Sequence, residues 1–471
     1  MSQGSFRNEQ EDIRELLRLY DSLKSGRPSV SLSEDSFERI IEHFDDQDDL
    51  GSALEAADRG MEQHPYSASL MVKKADLLIA TRKYHQALKL LDRAEILDSN
   101  DIDIFILRTD AYLALDQQEK AIKLLEDAIE RFSGEDRLNL LFELADVYDD
   151  YEEFDKIFDC LAMILELEPG NEEALYKICF WTDFTGRNEE SIALHQRIID
   201  EQPYSELAWF NLAAAYQGLK LYEKAVDAYK YAIVINEKFD YAYRNMADAY
   251  IRMRRYRDAI EALEKVAELS RPEDVIYEAI GHCYDRMRNH ALARFHYRKA
   301  SHLNPEDAKL QHKIALTYLN ERNWTKAMKY LETALRLNPK SHDLNLSMGE
   351  ALRGMGRFRE ALDHLRVAVA LKPRNISSWE SYIFTCYEAG SLEDAQGIAV
   401  TALQQTGGKP VFLYYRAALL FALGRQKAAL SVLESALQAA PRQFRKLATL
   451  DASLLGHPSV AELVARYRKR P

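Results

Sequence analysis

The chain is short of every feature that marks a secreted, membrane-spanning or catalytic protein. Its 471 residues hold four cysteines, Cys160, Cys179, Cys283 and Cys386, and none belongs to a CxxC pair. That excludes a cysteine zinc site of ordinary spacing and fits a reducing compartment. The opening MSQGSFRNEQEDIREL has no apolar segment of signal-peptide type, so the expected location is cytoplasmic. No uncharged apolar run approaches the ~18 residues a membrane span requires. The apolar stretch 411–423 is interrupted by Arg416. Basic charge is also lacking: 62 Lys and Arg stand against 76 Asp and Glu, a net charge of −14. A general nucleic-acid binder needs a basic face, so nucleic acid is not an expected partner. Catalytic signatures are missing too. Gly407, Gly408 and Lys409 run into Pro410, and Leu403 stands where a phosphate-binding loop needs its first glycine. His282, His290, His296, His302 and His312 are scattered along their segment and read as surface residues. No enzyme, metal or cofactor is expected.

What the chain does hold is a repeat. Hydrophobic residues make up 47% and charged residues 29%, a folded composition. The stretch 206–236, ELAWFNLAAAYQGLKLYEKAVDAYKYAIVIN, carries two apolar stripes at helical spacing. Trp209, Leu212, Ala213 and Tyr216 form the first; Tyr222, Ala225, Val226, Tyr229, Ala232 and Ile233 form the second. A short turn around Gly218–Lys220 joins them into a helical hairpin that cannot bury its own inner face. The pattern returns every 34 residues. Ala225, Ala259, Ala293, Ala327, Ala361, Ala395 and Ala429 keep one register; Tyr216, Tyr250, Tyr284 and Tyr318 keep another. Pro305, Pro339, Pro373 and Pro441 close second helices without breaking them. The register slips by two residues between Ser133 and Asp136, and Ile157, Ser191 and His195 replace the usual small or aromatic residues. The segment 133–203 is therefore where a change of curvature is expected.

These landmarks resemble the tetratricopeptide repeat, with twelve units over about 34–441. The resemblance implies an all-α fold, antiparallel helix pairs stacked into a right-handed α-solenoid. It divides the chain into an N-terminal tail and capping helix (1–30), repeats 1–3 (31–135), repeats 4–12 continuous with them (136–441), and C-terminal capping helices (442–471). Residues 1–8 read as a polar, disordered tail, and Gly26-Arg27-Pro28 as the end of the capping helix. It also implies that first helices line a concave groove that binds protein partners.

Helix geometry then selects groove-facing residues. Asp76, Asp110, Glu143, Asp146 and Asp149 make the early groove acidic. Tyr176, Phe180, Phe210 and Asn211 follow; then Arg244, Asn245, Arg252, Arg286, Lys309 and Lys313 make a basic middle suited to an acidic segment. Phe384, Tyr387, Tyr414 and Tyr415 make a C-terminal aromatic row, unless the last helix folds back over it. The function these features imply is a scaffold or adaptor binding a partner peptide or domain. The alternatives are a peptide or ligand sensor whose superhelix changes pitch and, remotely, a solenoid enzyme built on Asp110, Asp146 and Asp149.

Overall fold

The computed structural model describes residues 3–25 and 31–468. Gly26-Arg27-Pro28 lies outside the described residues. Apart from two short 3₁₀ segments, every regular element among the described residues is an α-helix. They alternate as hairpins at the repeat interval: Glu34–Asp45 with Leu50–Gln63, Ala68–Ala80 with Tyr84–Leu97, and on to Val411–Ala422 with Gln426–Ala439. The chain forms two compact units, 1–237 and 238–471. Each is a stack of hairpins of α-solenoid type.

The alanines that set the register lie buried within each hairpin. Ala225, Ala259, Ala293, Ala327, Ala361, Ala395 and Ala429 are all fully buried, so a larger side chain there would drive the two helices apart. First helices take conventional caps where the sequence supplies them. Ser67, Asn171, Ser205, Ser341 and Asn375 each accept a hydrogen bond from a backbone N–H three residues on. The two-residue slip is absorbed without a bulge. It follows Gly134, at φ +66°, and lengthens the next first helix to 16 residues, Glu135–Asp150.

One backbone feature was not read from the sequence. The turn between the paired helices puts a residue in the left-handed region once per repeat: Asp48, Arg82, Asp116, Glu152, Lys220, Arg254, Arg288 and Arg322, with Gly186, Gly356, Gly390 and Gly424 at the same place. Lysine and arginine give no left-handed signal, so only the shared spacing marks them.

Close approach explains a second glycine position. A Cβ on Gly281 would lie 2.6 Å from the ring of Tyr297, which is itself buried on the partner helix. Gly281→Ala is expected to cost roughly 1–3 kcal/mol by overpacking. Hydrogen exchange in Asp274–Arg286 and His290–Leu303 checks it; unchanged protection there would show that the ring moves aside freely.

The chain's two ends differ from expectation. The N-terminal helix runs Gln3–Lys24 and so includes most of the stretch expected to be a disordered tail. Its Tyr20 packs edge-on against Phe37, 6.4 Å between ring centroids, and closes the core of the first hairpin. After Pro441 the chain makes the 3₁₀ segments Pro441–Thr449 and Ala452–Gly456, then the helix Pro458–Arg468.

Candidate interaction surface

Within each unit, several neighbouring first helices pack on one another. Ala68–Ala80 touches Asp103–Ala114, and Glu172–Thr185 touches Glu206–Gly218; in the second unit His342–Gly354 touches Ile376–Glu388. No comparable pairing joins successive second helices among the described residues. The first helices therefore form the tighter, inner side of each stack.

In the first unit that inner side carries an aromatic row. Tyr176, Phe180 and Phe184 stand on three consecutive turns of Glu172–Thr185 and are 64%, 61% and 57% exposed. Spacings of four residues align them on one face. Phe184 packs edge-on to Phe154 at 4.7 Å, and Phe180 edge-on to Trp181 at 4.9 Å, so the outer rings stand on a stiff aromatic base. The sequence pattern singles out Tyr176 and Phe180, which the structure leaves exposed, but not Phe184. Its spacing of four from Phe180 was the available signal.

The neighbouring inner helices are acidic. Asp76, Asp110 and Asp146 are exposed and Glu143 is half-buried. Their tips reach solvent, yet the wall of the stack removes part of their hydration. Desolvation pushes all four carboxyls above their ordinary range, and neighbouring carboxylates add to it: Asp45 on Asp76, Asp76 on Asp110, and Asp110 on Glu143. Asp146 is partly offset by Lys177, 4.0 Å away.

Asn211 is not a groove residue. It is buried, and its side-chain amide donates to the Leu175 carbonyl at 2.7 Å and to His195 Nε2 at 3.2 Å. The reason lies in the irregular fifth repeat. His195 occupies an aromatic position and needs a polar partner, which Asn211 supplies. Phe210, half-buried beside it, packs at 5.6 Å on Tyr229.

In the second unit the basic stretch is largely satisfied from within. Arg244 makes a bidentate pair with Glu273, at 2.7 and 2.8 Å, and Lys313 pairs with Glu278. Arg252 is exposed, with Asp248 at 3.5 Å, and Arg286 donates to the Tyr256 hydroxyl at 3.2 Å. Lys309 is exposed and Asn245 half-buried.

The C-terminal aromatic row is not open. Tyr414 and Tyr415 are fully buried. The Tyr414 hydroxyl donates to the Ala440 carbonyl at 2.8 Å, and the Tyr415 hydroxyl to Glu380 at 2.5 Å. Lys446 reaches Glu380 at 3.1 Å, so the segment after the last repeat crosses the end of the inner face. Phe384 packs edge-on to Tyr415 at 5.2 Å, and it and Tyr387 are half-buried. The end of the chain packs on this row, so it serves as core.

A serine–histidine–aspartate constellation also appears that sequence reading did not find. His342 Nε2 lies 2.7 Å from Ser378 Oγ, and His342 Nδ1 lies 2.8 Å from Asp343 Oδ1. Ser378 is fully buried, and its hydroxyl is also 3.0 Å from the cap residue Asn375. With no exposed surface on the hydroxyl, a substrate has no approach to it. The arrangement ties two successive first helices together.

The structure thus defines an all-α solenoid of helical hairpins with an inner face built from first helices. Two family descriptions match its sequence: the tetratricopeptide repeat protein 21 C-terminal ARM domain over 185–348, and the tetratricopeptide repeat over 318–381. The match to tetratricopeptide repeat family models over 185–381 and the stacked hairpins support a tetratricopeptide repeat protein. No curated protein matches it. Similar solved structures include YrrB, described as a TPR protein with an unusual peptide-binding site, at 18% identity over 40% of this chain and 96% of that one, TM-score 0.36. The Cut9–Hcn1 hetero-tetramer of the APC/C matches at 13% identity over 85% and 97%, TM-score 0.35. The C-terminal part of a TPR protein from Cytophaga hutchinsonii matches at 14% identity over 54% and 98%, TM-score 0.44. Similarity at this level carries no functional argument.

Proposed function

We propose that the chain is a non-catalytic, cytoplasmic scaffold that binds partner proteins along the inner faces of its stacks. The observation that carries this reading is the exposed row Tyr176, Phe180 and Phe184. Repeat packing leaves more than half of each ring exposed, and large aromatics held outward on a rigid helix are what interface anchors require. Among the described residues no helix is long and apolar enough to cross a membrane. In the second unit, Arg252, Arg286 and Lys309 are the positions that face an acidic partner segment; Arg244 and Lys313 are held by Glu273 and Glu278.

A photo-crosslinking residue placed at Phe180 or Arg286 in the native host tests the reading. Adducts with a partner protein are expected there and not from Ile96 or Val234, which are exposed on second helices. Equal adducts from Ile96 and Val234, or none from Phe180 and Arg286, would overturn it.

A further inference from the structure

We propose that the inner face of the first unit takes an extended cationic segment of a partner protein, its basic residues lying along Asp76, Asp110 and Asp146 and its apolar end on Tyr176, Phe180 and Phe184. This rests on the scaffold reading and deepens it by naming the chemistry of one partner.

The argument begins with the aromatic row. Three rings more than half exposed on one helix face are unusual in a soluble protein unless something covers them. The charge beside them says what the rest of the occupant carries. Asp76 and Asp110 occupy the same place in successive repeats, and Asp146 takes that place in the next one, allowing for the two-residue slip. Phe180 occupies it in the repeat after. One line thus runs acid, acid, acid, aromatic. Asp76, Asp110 and Glu143 make no ion pair among the described residues. The cations on this face are shared with other carboxylates: Lys73 pairs with Glu42 at 2.7 Å and only partly offsets Asp76, and Lys177 pairs with Glu173 at 2.8 Å while lying 4.0 Å from Asp146. Asp76 and Asp110 repel one another, and Asp110 and Asp146 both repel Glu143, with only partial compensation from Lys73 and Lys177. A cationic ligand relieves that repulsion; an anionic one, including an anionic membrane surface or nucleic acid, adds to it.

The spacing sets the occupant's conformation. Packed helices stand ~10 Å apart, so one inner-face position recurs roughly every 10 Å. An extended chain advances ~3.3 Å per residue, so every third residue of such a segment meets the next repeat. The occupant's pattern is basic-x-x-basic-x-x-basic-x-x-apolar, with the basic end over Asp76 and the apolar end over Phe180.

The test uses the full chain and a fluorescent synthetic peptide of about twelve residues: arginine at three positions three apart, then leucine or phenylalanine three further on. Anisotropy at low salt is expected to show saturable binding that weakens as salt rises. Asp76→Asn/Asp110→Asn/Asp146→Asn is expected to weaken binding roughly tenfold, and Tyr176→Ala/Phe180→Ala/Phe184→Ala by a similar factor. A peptide with glutamate in place of arginine is expected not to bind. All six positions are exposed, so circular dichroism should confirm that both variants keep the fold. The proposal is overturned if the arginine peptide does not bind, if the glutamate peptide binds equally, or if either variant binds as well as the parent. If crosslinks persist at Phe180 while the peptide test fails, the cationic assignment is wrong and the scaffold reading stands. Loss of the crosslinks removes both.

Discussion

Deleting residues 442–471 will open the last hairpin of the second unit. Tyr414, Ala417, Ala418, Leu433, Ala436 and Leu437 share one cluster with Leu447, Leu454, Val460, Val464 and Tyr467. The deletion removes the second set and leaves the first facing water. Each fully buried side chain of leucine size returned to solvent forfeits about 1.5–3 kcal/mol, so Tyr414, Leu433 and Leu437 together lose on the order of 5 kcal/mol. The effect should be local. In a repeat array each unit is stabilised by its neighbours, and an end unit without its cap frays first. Hydrogen exchange is therefore the measurement, because a long array has no single unfolding free energy. Amides of Val411–Ala422 and Gln426–Ala439 are expected to lose protection while those of the first unit keep theirs. Retained protection at Val411–Ala422 would mean that the 3₁₀ segments and last helix contribute no stability. The deletion also bears on function, since it bares the aromatic row of Tyr414 and Tyr415 that the end of the chain keeps buried.

That row shows where sequence reading stops. The hairpins, their interval and the small residues between helices are all written as periodicity, and a fixed spacing of alanines has few structural solutions. The register then gives each residue's side of its helix, which is how Tyr176 and Phe180 were found. It does not give what lies over that side. Tyr414 and Tyr415 have the same helical address as open groove residues, but a segment beyond the repeats covers them. Asn211 fails for a related reason. Its address is on the inner side, but a neighbouring repeat with histidine in an aromatic position draws it inward. The basic stretch was legible as charge, not as free charge. Glu273 is 29 residues from Arg244 and Glu278 is 35 from Lys313, so the pairing crosses repeats. Contacts of that range follow from how one hairpin seats on the next, which periodicity does not encode.

The buried His195 will make the first unit sensitive to acid, and with a definite sign. His195 is fully buried. Its Nδ1 lies 2.7 Å from the Ser191 carbonyl, which can only accept, so Nδ1 carries the proton. Nε2 is then the acceptor for the Asn211 amide at 3.2 Å, and the ring is neutral. Burial disfavours the charged ring and lowers its pKa to about 4, against the Ser191 hydrogen bond, which raises it. Above pH ~6.5 the ring is neutral whether the chain is folded or not, and the site is insensitive to pH. Below that the unfolded chain takes up a proton the folded chain refuses, so stability falls as pH falls, until the folded ring also titrates near 4. The loss is about 2 kcal/mol at pH 5 and approaches about 3 kcal/mol at the lower end. The inner-face carboxylates work in the opposite direction. With folded-state values raised, they regain stability as pH falls, so the pH profile of the parent chain alone mixes the two. Comparison with His195→Phe separates them. The phenyl ring leaves one Asn211 N–H unpaired, a cost of about 1–3 kcal/mol that does not depend on pH. The difference between parent and variant should therefore be flat above pH ~6.5 and should narrow, then reverse or vanish, as pH falls to 4.5. Hydrogen-exchange protection of Asn188–Glu201 and Glu206–Gly218, followed from pH 7 to 4.5 with exchange rates corrected for pH, reads that difference. Parallel profiles for the two chains would show that His195 takes up its proton in the folded state as readily as in water, and the neutral hydrogen-bond assignment would fail with it.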